Sequence, residues 1–280
     1  MNHFPLKEPD GPEIIERLIN IENKIDNILP RHPDQAFGHL TYSQHGEDLL
    51  IINIFQILQC DKPSYIDLGA HHPINISNTA LLYSRGSRGI NVEANPNLVS
   101  AFLEQRPEDI TVNVGVGALR GKREFYCIDK WSGRNTFDKK TAEAFVRRHP
   151  GFKIAEIMQI EILTLNDIID KHRNGSFPDF LNIDVEGLEY EILVNTDFSN
   201  SKPLVICVEA VSGDDQDHSD RLIELLRLKG YMPYAKTLGN VVFLSNEAHR
   251  QLWSGPANGR LRPQSPALVS ADGAAPAVIR

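Results

Sequence analysis

The fold is decided by residues 64–73, which read Ser64-Tyr65-Ile66-Asp67-Leu68-Gly69-Ala70-His71-His72-Pro73. The first five are β-forming residues around an apolar core, so they predict a short buried strand. Gly69 and Ala70 follow, and both are small enough for a ligand to lie against the backbone. Ser77 or Asn78 is then placed to cap a helix. A strand, a small-residue turn and a helix start form the first half of a nucleotide-binding βαβ unit.

A second acidic residue supports this interpretation. Residues 88–93 predict the next strand, which ends in Glu93. Glu93 lies 26 residues after Asp67, close to the spacing of about 20 at which such folds place a ribose-binding acid. The turn lacks the later glycines of a dinucleotide fingerprint. An acid before the glycine suits a ligand with a cationic amino-acid end and no phosphate, and S-adenosylmethionine is such a ligand.

Four motifs in this order resemble the FkbM-type methyltransferases. They are Tyr42–Asp48, Tyr65–His71, Asn91–Pro96 and Phe180–Leu193. The resemblance covers roughly residues 42 to 246 and reaches neither terminus. It implies dependence on S-adenosylmethionine and an α/β, Rossmann-like class I methyltransferase fold. That fold has a mostly parallel seven-stranded sheet and a C-terminal antiparallel hairpin.

Residues around the predicted turn and strand ends form a candidate cofactor site. The set comprises Gln44, Glu47, Asp67, Gly69, Ala70, Asn78, Glu93, Asn113 and Asp184. For Gln44 and Glu47 the resemblance favours a cofactor role. The alternative is that this segment only caps the next helix, through Ser43 and its acidic first turn. Asn113 follows the third strand, where an adenine contact and a plain glycine turn are equally compatible with the sequence.

Acidic residues end the fourth and fifth predicted strands. Asp184 closes the strand 180–184, Glu209 closes 203–209, and Glu186 opens the helix between them. Because carboxyl ends of parallel strands meet at one edge of a sheet, these acids are expected in one cleft. Asp184, Glu209 and His45 are the predicted catalytic residues, since methyl transfer to a hydroxyl needs a proton acceptor.

The same strand-end acids also suit a metal ion. Asp184, Glu186 and Glu209 provide the hard oxygen ligands that Mg²⁺ takes. Glu186 has an alternative role, because a carboxylate at a helix start is stabilised by the helix dipole. The cofactors expected from the sequence are therefore S-adenosylmethionine and Mg²⁺.

Residues 122–163 read as an insertion that faces the acceptor. Its loop contains Trp131, Arg134, Asn135 and Phe137, which are typical of a sugar-binding lid; the alternative is a surface loop with one core phenylalanine. We expect an S-adenosylmethionine-dependent O-methyltransferase for a small polyhydroxylated acceptor, a sugar of a glycan or natural product. A non-catalytic binding or scaffold protein on the same fold is the alternative.

The sequence also predicts how the chain is divided. Residues 1–36 predict an amphipathic helix and linker, 37–253 the methyltransferase domain, and 254–280 a disordered tail. Ile14, Leu18 and the isoleucines after them follow the spacing of a coiled-coil seam. That seam favours a homo-oligomer, and packing of the helix on its own domain is the alternative.

The net charge, the length of the apolar runs and the cysteine content limit which partners and locations the sequence favours. The formal net charge of −8 argues against nucleic acid, which needs clustered cations. No apolar run reaches the roughly 20 residues of a membrane span, and the N-terminus shows no signal pattern. Three widely spaced cysteines fit free thiols in a reducing compartment, so a cytoplasmic location is expected.

Overall fold

The structure is a computed structural model that describes residues 39–185, 187–210 and 216–254, with the backbone alone for 216–218 and 254. The chain divides into two units after Leu40, and nearly all of the described residues belong to the second. The predicted N-terminal helix with its coiled-coil seam, the acid Glu186 and the predicted tail beyond residue 254 lie outside the described residues.

Ten strands occur in the described residues, numbered in chain order. They are β1 (Tyr65–Leu68), β2 (Gly89–Val92), β3 (Ile110–Val112), β4 (Gly115–Val116), β5 (Gly121–Cys127), β6 (Glu156–Leu163), β7 (Phe180–Ile183), β8 (Val205–Glu209), β9 (Tyr231–Lys236) and β10 (Asn240–Ser245). Seven of them form one sheet in the order β3-β2-β1-β7-β8-β10-β9. The first five are parallel, and β10 pairs antiparallel with β8 and β9. This arrangement confirms the predicted Rossmann-like class I sheet and its closing hairpin.

Helices cover both faces of this sheet. The described helices are α1 (Glu47–Ile57), α2 (Ala80–Ser84), α3 (Val99–Gln105), α4 (Lys139–Arg148), α5 (Leu165–Arg173), α6 (Glu189–Asn195), α7 (Gln216–Leu228) and α8 (Asn246–Ser254). One apolar core joins the sheet to α5, α6 and α7, and a second joins it to α1, α2 and α8. Strand β7 supplies Leu181 and Ile183 to the first core and Phe180 to the second, because successive side chains of a strand point to opposite faces.

The insertion forms a second, three-stranded sheet in the order β4-β6-β5. Strands β5 and β6 pair antiparallel along their whole length, with Gly121 opposite Ile162. The sequence predicts both as extended but not their pairing, and it places 115–116 in an exit loop. Between β5 and β6, helix α4 begins at Asp138, whose carboxylate accepts the backbone N–H groups of Lys140 and Thr141.

The start of α1 differs from the prediction. Ser43 is not the N-cap residue: the helix begins after Gly46, which has φ of 84°, and the Ser43 hydroxyl accepts only a long bond of 3.4 Å from the Asp48 N–H. Asp48 instead reaches back from the first turn, and its carboxylate accepts the backbone N–H of Tyr42 at 2.7 Å. The segment before α1 is therefore held by a buried acid.

None of the described helices is long and apolar enough to cross a membrane.

Candidate functional site

A cavity of about 650 Å³ lies at the carboxyl ends of β1, β2, β7 and β8. This is the edge at which open α/β sheets bind ligands. Residues 132–137 of the loop 129–137, here called the covering loop, also line the cavity. Eight of the sequence-predicted site residues line the cavity: Gln44, Asp67, Gly69, Ala70, Asn78, Glu93, Asp184 and Glu209.

Glu47 and His45 lie outside this lining. Glu47 is fully buried, and its Oε1 accepts hydrogen bonds from Thr237 at 2.6 Å and from the Asn240 side chain at 3.1 Å. Burial raises the pKa of Glu47, but these bonds and two backbone N–H groups outweigh it, so the pKa is lowered. The His45 ring, whose side chain is 26% exposed, lies 3.6 Å from the same carboxylate. Glu47 thus ties α1 to the β9–β10 hairpin.

Asn113 also lies behind the cavity lining. Its side-chain amide donates to the carbonyl oxygens of Glu93 at 2.7 Å and Ala94 at 3.2 Å. The amide nitrogen is therefore used in holding the loop after β2. This is a positioning contact for the rim of the cavity.

Gly69 is required where β1 meets β7. Its φ is +77°, and a Cβ atom there would lie 1.7 Å from the carbonyl oxygen of Asp184. The N–H groups of Gly69 and Ala70 both reach the Val92 carbonyl, at 3.0 and 3.1 Å. The turn is therefore held against the ends of both neighbouring strands, and no side chain fits there.

Glu93 is fixed at the end of β2 with both oxygens directed by the backbone. It is 6% exposed; Oε1 accepts from Asn95 N–H at 2.7 Å and Oε2 from His71 N–H at 2.8 Å. Burial raises its pKa, and the two backbone bonds partly offset that effect. Each carboxylate oxygen keeps a further lone pair, so Glu93 fits a ligand that presents two adjacent hydroxyls, as a ribose does.

Asp67 is committed to the protein interior. It is 2% exposed and accepts from the Thr79 hydroxyl at 2.6 Å and the Asn182 amide at 2.8 Å. Asn182 accepts in turn from Asn78 at 2.9 Å, and the buried Arg106 donates to Thr79 at 2.9 Å. Sequence reasoning missed Asn182. Its signal is a polar residue inside the otherwise apolar β7.

Asp184 and Glu209 meet across the ends of β7 and β8. The Glu209 carboxyl interacts with Asp184 and lowers its pKa, and a hydrogen bond between two carboxyl groups requires a proton on one of them. Burial, and then the charge of Glu189, raises the pKa of Asp184 to about 6, while the bond with Glu209 acts in the opposite direction. A carboxyl with a pKa in this range is suited to accept a proton near neutral pH. We call Asp184 and Glu209 the acid pair.

The acid pair is not accompanied by a described third ligand. Glu186, the remaining predicted magnesium ligand, lies outside the described residues. Within the part of the chain that is described, no group of three or more His, Cys, Asp or Glu is arranged to hold a metal ion. Asp184 and Glu209 both line the cavity, and a magnesium site that they would form together with Glu186 stays a prediction.

The covering loop uses most of its polar groups to hold itself. The amide of Asn135 donates to Asp129 and accepts from the Ile128 N–H, each at 2.8 Å. Trp131 is 66% exposed, and only its carbonyl makes a described contact toward the site, accepting from the His71 ring at 3.0 Å. Of the residues predicted to form a lid, Arg134, Asn135 and Phe137 line the cavity, whereas Trp131 does not.

The chain is similar to one family domain and to several solved structures. The methyltransferase FkbM domain matches residues 67–233. Among solved structures, a precorrin-6y C5,15-methyltransferase from Geobacter metallireducens is similar at 13% identity, with a TM-score of 0.39 over 71% of this chain and 87% of that one.

A 1,6-didemethyltoxoflavin-N1-methyltransferase from Burkholderia thailandensis, solved with 1,6-didemethyltoxoflavin and S-adenosylhomocysteine, shares 12% identity with a TM-score of 0.37 over 86% of this chain and 91% of that one. None of the curated proteins matches. The domain match spans more than half of the chain, and the chain therefore belongs to the methyltransferase FkbM domain family.

Proposed function

We propose that this protein is an S-adenosylmethionine-dependent O-methyltransferase that acts on a hydroxyl of a small polyhydroxylated acceptor, a sugar of a glycan or natural product. The observation that carries the proposal is Glu93, a buried carboxylate held by two backbone N–H groups beside the Gly69 turn. Family membership supplies the reaction class, and the strand-end acids supply a route for the proton.

The cofactor would lie along the carboxyl ends of β1 and β2. Glu93 accepts the two ribose hydroxyls, and the Gly69–Ala70 backbone allows the amino-acid end to pass closely. The cavity wall formed by Asp67, Glu93, Asp184 and Glu209 is here called the acidic wall. It suits a ligand with a cationic sulfonium and a cationic amino group, because opposite charges attract strongly where water is scarce.

The acid pair would take the proton of the acceptor hydroxyl. As the acceptor oxygen forms its bond to the methyl carbon, the carbon–sulfur bond breaks and its electrons stay on sulfur. The hydroxyl proton passes to the ionised carboxylate of the pair. His45, which is exposed outside the cavity lining, is given no part in this step.

A magnesium site formed by Asp184, Glu186 and Glu209 is the alternative use of these acids. A bound dication would lower the pKa of the acceptor hydroxyl. Chelation separates the two mechanisms: full turnover in excess EDTA is expected from the acid pair, whereas loss of turnover that Mg²⁺ restores would support the metal.

The function is tested with labelled S-adenosylmethionine and a panel of sugars, sugar phosphates and nucleotide sugars. Transfer of label to oxygen of a panel member is the expected result. The competing proposal, a scaffold protein on a methyltransferase fold, predicts no heat when S-adenosylmethionine is titrated into the protein. Heat with the cofactor and no transfer to any hydroxyl compound would direct the search to nitrogen or carbon acceptors.

Assembly and location remain proposals of the same kind. We propose a homo-oligomer through the N-terminal helix, so deletion of residues 1–36 should lower the mass seen by light scattering and leave the domain folded. An unchanged mass would remove the helix from the interface. Cys127 and Cys207 are buried thiols that form no disulfide, which supports the proposed cytoplasmic location.

A further inference from the structure

One cation faces the cavity from the covering loop. Arg134 is the only Lys or Arg among the described residues that line the cavity, and the other charged residues there are the members of the acidic wall and His71. Its guanidinium lies over the Phe145 ring, with Cζ 5.2 Å from the ring centroid. The donors at the edge of the guanidinium plane stay available in this geometry, because stacking uses only its face.

No described residue uses those donors. The only described hydrogen bond of Arg134 is from its backbone N–H to the Ser132 hydroxyl, and no ion pair involves it within the described part of the chain. Arg123 of the same insertion likewise lies over a ring, that of Phe137, with no described hydrogen bond or ion pair, whereas Arg120 is paired with Asp167. Arg134 is thus a charged group held at a cavity rim with unused donors.

The segment of sequence that contains Arg134 has a net positive charge, whereas the rest of the chain has a net negative charge. Residues 121–153 contain nine Lys or Arg and four Asp or Glu, a net charge of +5. The whole chain carries −8, so the remaining residues carry −13. Lys130, which is exposed, belongs to the same loop, and its carbonyl accepts from the Asn95 side chain at the cavity rim. A local positive field over an acidic molecule attracts anions to this one opening.

The cavity lining therefore favours a ligand that has both a neutral hydroxyl and an anionic group. The reacting hydroxyl must reach the acid pair, where negative charge would be repelled. An anionic group on the same molecule would be stabilised beside Arg134, the one Lys or Arg among the described lining residues. A planar guanidinium can donate two parallel hydrogen bonds to phosphate oxygens.

We propose that the acceptor carries a phosphate group, as in a sugar phosphate or a nucleoside diphosphate sugar, and that Arg134 binds this phosphate at the rim while the sugar hydroxyl points to the acid pair. This inference rests on the proposed methyltransferase function and names the acceptor class for it. Arg134 would be a specificity-determining residue, with little effect on the cofactor.

The test is calorimetric titration of the full chain with inorganic pyrophosphate, with and without saturating S-adenosylhomocysteine. Arg134→Gln should weaken pyrophosphate binding by at least about fivefold, since a charge-assisted hydrogen bond is lost. Arg134→Lys should fall between the two, and Arg85→Gln, an exposed arginine outside the lining, should match wild type. Raising the salt concentration should weaken binding to wild type more than to Arg134→Gln.

Two results would overturn the proposal. One is that wild type binds no pyrophosphate, or that Arg85→Gln loses as much as Arg134→Gln. The other is that Arg134→Gln weakens S-adenosylhomocysteine as strongly as pyrophosphate, because the arginine would then hold the cofactor's carboxylate. Failure of S-adenosylhomocysteine to bind wild type would instead reject the underlying function.

Matched sugar ligands identify the source of the phosphate. Glucose 1-phosphate should bind more tightly than glucose or glucuronate, and equal binding of glucuronate would contradict the phosphate assignment. If UDP-glucose binds more tightly still, the natural acceptor is a nucleotide sugar; equal binding would limit recognition to the phosphate.

Discussion

The acidic wall and the covering loop face the same cavity but are constructed differently. The acidic wall stands on strand ends, and its acids are held by strand-to-strand contacts such as those of Asp67 with Thr79 and Asn182. The covering loop is held by local bonds such as those of Asn135 and by its carbonyl contacts with His71 and Asn95. Arg134 lies over the Phe145 ring and has no described side-chain hydrogen bond or ion pair. A constant cofactor suits the first construction, and a variable acceptor suits the second.

The difference teaches which contacts determine which property. A rigid wall sets the cofactor geometry, because side chains on strands and held turns are placed more precisely than those on loops. A loop whose backbone is self-supporting can change its outward side chains without disturbing the sheet. The predictions below test this division, in order of expected effect.

The largest effect is expected at the turn of the acidic wall. Gly69→Ala would place a methyl group 1.7 Å from the Asp184 carbonyl at a positive φ, which costs at least about 2 kcal/mol of stability. S-adenosylmethionine binding should be lost altogether. Gly121→Ala is the matched control, because nothing lies within 4 Å of its Cβ position. Thermal unfolding and calorimetry measure both variants, and near-normal binding by Gly69→Ala would refute the rigid turn.

A smaller effect confined to turnover is expected at the acid pair. Asp184→Asn should lower kcat by about 100-fold or more, since a positioned base contributes 10²–10⁴-fold. The cofactor affinity should stay within a few fold, because Asn preserves shape. Single-turnover rates on the acceptor found with the panel, together with cofactor titration, separate the two quantities. Equal loss of both would make Asp184 a cofactor ligand and not a base.

The pH dependence should follow the same carboxyl group. Its pKa is raised to about 6, and only the ionised form can accept a proton. Activity should therefore be retained above pH 6 and decline as the pH falls through that value. Glu209→Gln should shift this limb, because it removes the carboxyl that shares the proton. A limb that stays in place in Glu209→Gln would mean that the titrating group lies elsewhere.

The sequence predicted the acidic wall far better than the covering loop, and the reason is physical. Short apolar runs predict the strands, and the fold brings the carboxyl ends of parallel strands to one edge of the sheet. The positions of Asp67, Glu93, Asp184 and Glu209 at that edge can therefore be predicted without knowledge of side-chain contacts. Asn182 was missed because a single polar residue within an apolar strand does not indicate which residues it contacts. The sequence also did not predict that the Asp67 carboxylate accepts hydrogen bonds from Thr79 and Asn182 inside the protein.

The insertion illustrates what pattern alone leaves open. Residues of β5 and β6 read as extended, but pairing between distant strands depends on tertiary packing. Trp131 was expected to line a sugar site, yet it is absent from the cavity lining and is 66% exposed. Asn135 was expected to hydrogen-bond a sugar hydroxyl. Its amide instead bonds the backbone of Ile128 and Asp129, because an amide in a tight loop lies close to backbone groups. Arg134 was expected in the lid from the sequence, and the structure adds that no described residue bonds its guanidinium donors.

The most direct test of the central claim is the titration of S-adenosylmethionine into wild type, Glu93→Gln, Glu93→Ala and the control Glu104→Ala, an exposed acid of α3. Hydrogen bonds to a charged group are worth about 1.5–3 kcal/mol, so Glu93→Ala should weaken binding by about tenfold or more. Glu93→Gln, which keeps one acceptor oxygen, should lose less, and Glu104→Ala should match wild type. Binding by folded Glu93→Ala that equals wild type, or no binding by wild type, would contradict the account.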